Sequence, residues 1–254
     1  MIDHSEMKLG KQAAKLDPRT LKLGRYFLDS LPPAPPKVTW SKGAPGWGMM
    51  VNNQRGCCTI AGAFHQAQVW QLNTTGRLFS VQDGDVLHYY SKWDGFDPNN
   101  PDATDQGGVE LDVLNKWRTE GLLSTKLVAY ADPDEKNLNH VKQAINLFGG
   151  VYIGLELPIT AQTQMTWDVP TFKTSASANN SWGGHCVCVP DYDDEEKVFT
   201  CITWGVLKQM TYKFFLQYCD EAHALLSPDW LKEGKTTAGF DLNTLLDNLK
   251  QVTA

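Results

Sequence analysis

Helix and strand patterns lie in different halves of this 254-residue chain. Apolar residues recur at helical spacing in three segments, residues 58–70, 109–120 and 138–148. The third segment stops at Gly149-Gly150 and passes directly into residues 151–155, whose β-branched and aromatic side chains predict a strand. Two more strands are predicted for residues 185–189 and 198–203. Helices in the first part and strands in the second predict an α+β fold.

The N-terminal residues are expected to form an arm. Residues 18–31 have a helix-like pattern, and the proline-rich run from Leu31 to Pro36 cannot continue a helix. We therefore expect residues 1–35 to form an arm or strap that lies on the surface of the main domain. A segment that blocks the functional cleft is the alternative, and the shortness of the arm favours the strap.

The rest of the chain, residues 36–254, is expected to form one domain with two lobes. The helical lobe covers about residues 36–150, and the β-rich lobe covers about residues 151–254. Within the second lobe, residues 212–226 and the tail after Gly239 are predicted to be helical.

Composition narrows the class of function. A net charge of −6 offers no basic surface for nucleic acid, and no apolar run approaches the length of a membrane span. The first ten residues do not resemble a signal peptide, which predicts a cytoplasmic protein, with a virion or a Sec-independent export route as alternatives. Nothing points to a cofactor or a metal, because the acidic loop at residues 94–105 lacks the spacing of an EF-hand. The oligomeric state is left open.

One cysteine and one histidine are candidates for chemistry. Cys58 lies in the first turn of a predicted helix, where the helix dipole favours a thiolate. Among the six histidines, His185 follows Gly183-Gly184 at the start of a predicted strand, where a substrate backbone could approach closely. The sequence therefore predicts Cys58 as a nucleophile that is activated by His185. Buried free thiols are the expectation for most of the other cysteines.

Five segments occur in the order found in papain-like cysteine peptidases: residues 36–40, 53–58, 105–108, 183–187 and 203–205. The chain resembles in particular the divergent bacterial and phage-borne relatives that carry Gly-Asp-Cys-Thr at the nucleophile, where this chain has Gly56-Cys57-Cys58-Thr59. The resemblance implies a papain-like two-lobed fold and a peptide or protein substrate. It also implies that Cys58 is the nucleophile and that His185 is the general base and acid.

The same resemblance implies which residues surround the reacting groups. The substrate cleft would be lined by five residues: Gly107, Gly108, Trp182, Gly184 and Trp204. The backbone N–H of Cys58 would contribute to the oxyanion hole. Its side-chain donor would be Asn52 if the spacing to Cys58 is kept, or Gln54 if the residue type is kept, and the spacing is given slightly more weight.

The third triad position departs from the family. The asparagine that orients the histidine would fall two residues before Trp204, where this chain has Ile202. Thr203 could form the hydrogen bond to His185 if the strand is bulged, whereas regular alternation would point it away. Cys57 replaces the acidic residue of the closer relatives.

Three hypotheses follow for the function. The first is a cysteine-nucleophile hydrolase of peptide or isopeptide bonds. The second is a papain-fold binding or structural module, such as a component of a phage particle or an effector, with weak or lost catalysis, for which Ile202 is the main argument. The third is another acyl transfer on the same fold, such as deamidation.

Overall fold

The structure is a computed structural model that describes residues 3–25, 33–232 and 235–236. The α-helices of these residues are α1 (Cys58–Thr75), α2 (Asp83–Asp94), α3 (Pro101–Thr104), α4 (Glu110–Glu120), α5 (Leu138–Phe148) and α6 (Tyr212–Tyr218). The strands are β1 (Leu21–Lys22), β2 (Lys37–Thr39), β3 (Ala129–Asp132), β4 (Val151–Leu157), β5 (Gly183–Asp193), β6 (Val198–Thr203), β7 (Val206–Thr211), β8 (Cys219–Leu226), β9 (Leu231–Lys232) and β10 (Lys235–Thr236). Short 3₁₀ helices lie at Leu23–Arg25, Ile159–Thr163, Ser175–Ser177 and Pro228–Trp230.

Eight of the strands form one sheet. Seven of them follow the order β1-β3-β8-β4-β5-β6-β7, and β2 pairs with β5 beside this path. The pair β1–β3 is parallel, and the other pairs of this sheet are antiparallel. The two remaining strands, β9 and β10, pair with each other. No helix of the described residues is long and apolar enough to cross a membrane.

Helix α1 is buried on all sides over its first thirteen residues, Cys58 to Trp70, and it packs against β5. The contact is close because α1 carries Gly62, where a Cβ atom would lie 3.1 Å from the Tyr152 ring and 3.2 Å from the Cys186 sulfur. The Tyr152 hydroxyl also donates to the carbonyl of Thr59 at 2.8 Å. These contacts fix the start of α1 beside the start of β5.

The structure confirms the helices predicted at α1, α4 and α5 and the strands at β4, β5 and β6. The helix predicted for residues 18–31 is wrong where it can be compared, because residues 21–25 form β1 and a 3₁₀ turn. Residues 26–31 and the tail after Gly239 lie outside the described residues.

The helix predicted for residues 212–226 is also wrong beyond Tyr218, since residues 219–226 form strand β8. This strand lies between β3 and β4 in the middle of the sheet. Its local sequence suits a helix, but pairing on both edges and burial decide its conformation, as they often do for internal strands.

The two parts of the chain interlock. Strand β2, which precedes the helical part, pairs with β5, and α5 packs against β4, β5 and β8. The described structure therefore places elements from both parts of the sequence around one sheet.

The loop that ends in Gly107-Gly108 is fixed to the start of α1 by Asp105. One oxygen of this carboxylate, Oδ1, accepts from the backbone N–H of Gly56 at 2.9 Å and from the Tyr90 hydroxyl at 2.7 Å. The same hydroxyl accepts from the N–H of Gly107 at 2.8 Å. Tyr90 is fully buried, so its hydroxyl has no water to replace these partners.

Replacing Tyr90 with Phe is therefore expected to destabilise the protein by about 1–3 kcal/mol, which lowers Tm by roughly 2–10 °C in thermal unfolding. The matched control is Tyr130→Phe, because the Tyr130 hydroxyl donates to Asn115 Oδ1 at 2.9 Å from a half-buried position. Equal losses in the two variants would contradict the anchoring role of Tyr90.

Candidate active site

Cys58 is the first residue of α1, and its thiol is fully buried. Burial raises the pKa of this thiol to about 12, although the backbone N–H groups of Cys186 and Gly10 act in the opposite direction. The thiol is therefore neutral at pH 7 in this arrangement. All six cysteines are free and buried, as expected for most of them.

His185 lies in β5 and is also fully buried. Its Nε2 is 2.7 Å from the hydroxyl oxygen of Thr203, and its Nδ1 is buried without a hydrogen-bond partner among the described residues. Burial first, and then the nearby His65, lower the pKa of His185 to about 3. The imidazole is neutral, so Cys58 and His185 do not form an ion pair in this state.

A bulge in β5 explains why Thr203 reaches His185. Between the pairs Cys188–Ile202 and Asp191–Thr200, β5 advances by three residues and β6 by two. The extra residue on β5 lies next to Pro190, which has no N–H for the ladder. This extra residue shifts the register of β5 against β6 by one residue. Because side chains alternate along a strand, Thr203 then faces the same side of the sheet as His185.

Ile202, where the sequence resemblance would place an asparagine, faces the other way. It belongs to a small apolar cluster with three buried side chains, Trp47, Val69 and Cys188. Thr203 therefore takes the place next to the imidazole, and Ile202 contributes to packing.

Trp204 covers the imidazole. The two rings stack with centroids 4.6 Å apart and an interplanar angle of 18°. Trp182 packs against Trp204 at 5.6 Å, and His4 of the arm stacks on it at 5.1 Å. Of the two tryptophans that the sequence assigned to the cleft, Trp204 stacks on His185 and Trp182 packs against Trp204.

The two candidates for the oxyanion hole differ in their surroundings. Asn52 is buried, and its side-chain amide donates to the carbonyl of Arg55 at 3.2 Å, whereas Gln54 is exposed. The turn that places Asn52 contains Met50 and Val51 with φ values of 53° and 59°. Such left-handed conformations are unfavourable for side chains of this kind and concentrate at functional sites.

The N-terminal arm lies in the cleft. Gly184 accepts hydrogen bonds at its carbonyl from the N–H groups of Gly10 (3.2 Å) and Lys11 (3.0 Å). Gly108 donates to the carbonyl of Gly10 at 2.8 Å and accepts from the N–H of Gln12 at 2.9 Å. Gln12 also donates through its side-chain amide to Gly107 at 3.4 Å. The arm thus forms hydrogen bonds with all three glycines that the sequence assigned to substrate binding, Gly107, Gly108 and Gly184.

The fit of the arm is tight. A Cβ atom at Gly10 would lie 1.8 Å from the carbonyl oxygen of Gly56, and one at Gly184 would lie 2.2 Å from the carbonyl oxygen of Lys11. Leu16, by contrast, is 89% exposed. Lys11 is buried, and the N–H of Gly10 lies at the buried Cys58 thiol, so the expectation that the arm only straps the surface does not describe this part of it.

Lys11 of the arm enters a pocket of carboxylates that we call the acidic pocket, formed by Glu110, Asp220 and Glu221. The ammonium lies 2.6 Å from Asp220 Oδ2 and 2.9 Å from Glu221 Oε1. The Lys11 side chain is only 2% exposed. These carboxylates raise the pKa of Lys11 above its ordinary value, against the effect of burial. Lys11 is thus charged.

The same region contains the group of described residues best suited to a metal ion. Glu110, Glu221 and His223 offer ligand atoms within 4.8 Å of one another. Burial lowers the pKa of His223, but hydrogen bonds to Asp132 and Glu221 outweigh it and raise this pKa to about 10, so the imidazole is protonated at pH 7 in this arrangement. The positive charges here are those of Lys11 and His223.

Sequence reasoning missed the acidic pocket. Asp220 and Glu221 lie in the segment that was predicted to be helical, and adjacent residues of a helix do not share a face. Glu110 follows two residues after Gly108, a signal that could have placed it at the cleft.

No protein-family model matches the sequence, and no curated protein matches it. Among solved structures, the chain is similar to xylellain, a cysteine protease from Xylella fastidiosa, with a TM-score of 0.65 and 13% identity over 87% of this chain and 96% of that one.

Two other solved structures are also similar to this chain in fold. Digestive procathepsin L 3 of the Tenebrio molitor larval midgut has a TM-score of 0.58 and 12% identity over 88% of this chain and 77% of that one. The Carica candamarcensis cysteine protease CMS1MS2, in complex with E-64, has a TM-score of 0.52 and 13% identity over 76% of this chain and 98% of that one. The chain has the mixed helix and sheet fold of the papain-like cysteine proteases.

Proposed function

We propose that this protein is a cysteine-nucleophile hydrolase of peptide or isopeptide bonds whose cleft is closed by its own N-terminal arm. The observation that carries the proposal is the hydrogen bond of 2.7 Å between His185 Nε2 and Thr203, on a strand packed against the helix that Cys58 begins. The similarity to cysteine proteases supports the same conclusion at the level of fold.

In the first half of the reaction, after the arm has left the cleft and the Cys58 thiol has come within hydrogen-bond distance, its proton passes to His185 Nδ1, which has no hydrogen-bond partner among the described residues of the closed protein. The sulfur attacks the carbonyl carbon of the substrate, and a C–S bond forms. The oxyanion is stabilised by the backbone N–H of Cys58 and by the amide of Asn52. The C–N bond then breaks, and His185 donates its proton to the leaving amine.

In the second half, water attacks the thioester and gives a proton to His185. The C–S bond breaks, the carboxylic acid leaves, and the proton returns to the sulfur of Cys58. Thr203 holds the ring during both proton transfers through its hydrogen bond at Nε2. In the tautomer that carries the proton on Nε2, the Thr203 hydroxyl accepts this hydrogen bond and Nδ1 is the base.

The arm is a barrier to this reaction. Its backbone hydrogen bonds use the groups of Gly108 and Gly184 that a substrate would need, and the backbone N–H of Gly10 lies at the Cys58 thiol. Burial keeps both Cys58 and His185 neutral in this closed arrangement. Displacement of the arm admits water and substrate and allows the ion pair to form.

A binding module without catalysis is the second candidate. Ile202 at the asparagine position favours it, and so does a cleft that is filled by the chain itself. This candidate predicts that Cys58 stays unreactive even when the arm is displaced.

A side chain at position 10 displaces the arm, because its Cβ atom would collide with the carbonyl of Gly56. In Gly10→Ala, we expect alkylation of Cys58 by iodoacetamide at pH 7 to be at least about tenfold faster than in the wild type, since an imidazolium partner lowers the pKa of a thiol. Mass spectrometry of the peptides identifies the modified cysteine.

Gly84→Ala is the matched control, since a Cβ atom there has no atom within 4 Å, and its rate should equal that of the wild type. Adding Cys58→Ser to Gly10→Ala should remove the fast thiol. If a fast thiol persists in that double variant, the nucleophile is another cysteine, with Cys57 as the first candidate.

Thr203→Val keeps the shape of the side chain and removes the partner of His185 Nε2. In the Gly10→Ala background, we expect it to lower kcat for hydrolysis of labelled casein by roughly 10–100-fold with little change in KM, because the ring loses its orientation. Thr200→Val on the same strand is the control.

Ile202→Asn tests whether an amide at position 202 improves hydrolysis. It places an amide in the apolar cluster around Val69, so we expect lower stability and no gain in hydrolysis. Faster hydrolysis by Ile202→Asn, together with no loss in Thr203→Val, would show that Thr203 does not orient His185.

A further inference from the structure

The acidic pocket holds one ammonium group between two adjacent carboxylates. Asp220 and Glu221 are neighbours in β8, yet both reach the ammonium of Lys11, at 2.6 Å and 2.9 Å. Regular alternation would point consecutive side chains to opposite faces. A bulge between β4 and β8 removes this obstacle, because Gly154 pairs with Glu221 while Leu155 pairs with Cys219, so that Asp220 is the extra residue.

A third carboxyl completes the pocket. Glu110 is fully buried, and neither of its oxygens has a hydrogen-bond partner among the described residues. Burial and the charge of Glu221 raise its pKa well above the ordinary value. Glu110 Oε2 lies 3.9 Å from Nε2 of the protonated His223, so the carboxyl groups of the acidic pocket face two cations, Lys11 and His223.

The pocket opens at the groups that hold the backbone in the cleft. The residue whose side chain enters it, Lys11, donates its own N–H to the carbonyl of Gly184, and its neighbours bond to Gly108. Gly154 of β4 forms the floor of the acidic pocket. A Cβ atom at this position would lie 2.0 Å from Lys11 Cε, so the aliphatic stem of Lys11 lies directly on β4. A side chain can therefore bind in this pocket while the backbone of the same segment forms the hydrogen bonds of the cleft.

We propose that the acidic pocket is the specificity pocket of the cleft and selects substrates with a lysine side chain, with Lys11 holding that place in the closed protein. The inference rests on the proposed hydrolase function. Release of the arm removes one positive charge from the pocket and leaves Asp220 and Glu221 without their ammonium partner. A substrate lysine restores both ion pairs, whereas an apolar side chain of the same length restores neither and leaves Glu221 with His223 as its cationic partner.

The test uses the full chain with Gly10→Ala, which opens the cleft, and two kinds of peptide. In fluorogenic peptide amides, a single lysine is moved through the sequence and compared with norleucine, which has the same stem without the ammonium. At one position, lysine should raise kcat/KM by roughly 10–100-fold over norleucine. Asp220→Asn combined with Glu221→Gln should abolish this preference, and Asp112→Asn, the exposed partner of Lys15, should not change it.

A binding measurement tests the lysine preference of the pocket independently of hydrolysis. In Gly10→Ala with Cys58→Ser, a labelled lysine peptide should bind roughly 10–100-fold more tightly than its norleucine copy by fluorescence anisotropy. Gly154→Ala retains every charge but fills the space of the stem, and it should remove the difference. This variant keeps the test open if the double charge variant does not fold.

The two proposals fail in different ways. Hydrolysis of both peptides at equal rates, or equal binding of both, overturns the lysine pocket and leaves the hydrolase in place. Preferred binding of the lysine peptide without any hydrolysis overturns the hydrolase and retains a lysine-selective pocket.

Discussion

The packing of α1 against β5 is the contact on which the candidate site depends. It places the start of the helix, which carries Cys58, beside the start of the strand, which carries His185. Gly62 and Tyr152 set the distance between the two elements. Gly107 and Gly108 are held to the same corner through Asp105, so the proposed nucleophile, the proposed base and the glycines proposed to bind substrate lie on connected elements.

Two β-bulges adapt this frame to its chemistry. The bulge in β5 brings Thr203 to the imidazole and turns Ile202 into the apolar cluster. The bulge in β8 lets Asp220 and Glu221 face one ammonium. In each case one inserted residue changes which side chain faces the cleft, which is a common use of bulges near functional sites.

The sequence predicted what local pattern determines: the helix that begins at Cys58 and the strand that carries His185. It could leave Thr203 only as a conditional partner, because the bulge that moves it is a property of strand pairing. Strand β8 was predicted to be helical, since its residues lack β-branching and only pairing with β3 and β4 fixes it. The acidic pocket was hidden for the same reason, and the arm was judged by its length rather than by its contacts.

The central claim is that Cys58 and His185 form an ion pair once the arm leaves the cleft. The most direct measurement is the ultraviolet absorbance of the thiolate as a function of pH in Gly10→Ala, from which the curve of Gly10→Ala with Cys58→Ser is subtracted. The account predicts a thiolate that persists below about pH 7 in the open protein and is absent at neutral pH in the wild type, where burial raises the pKa of Cys58 to about 12. A thiolate that forms in the open protein only above about pH 8.5, as in a free cysteine, would contradict it.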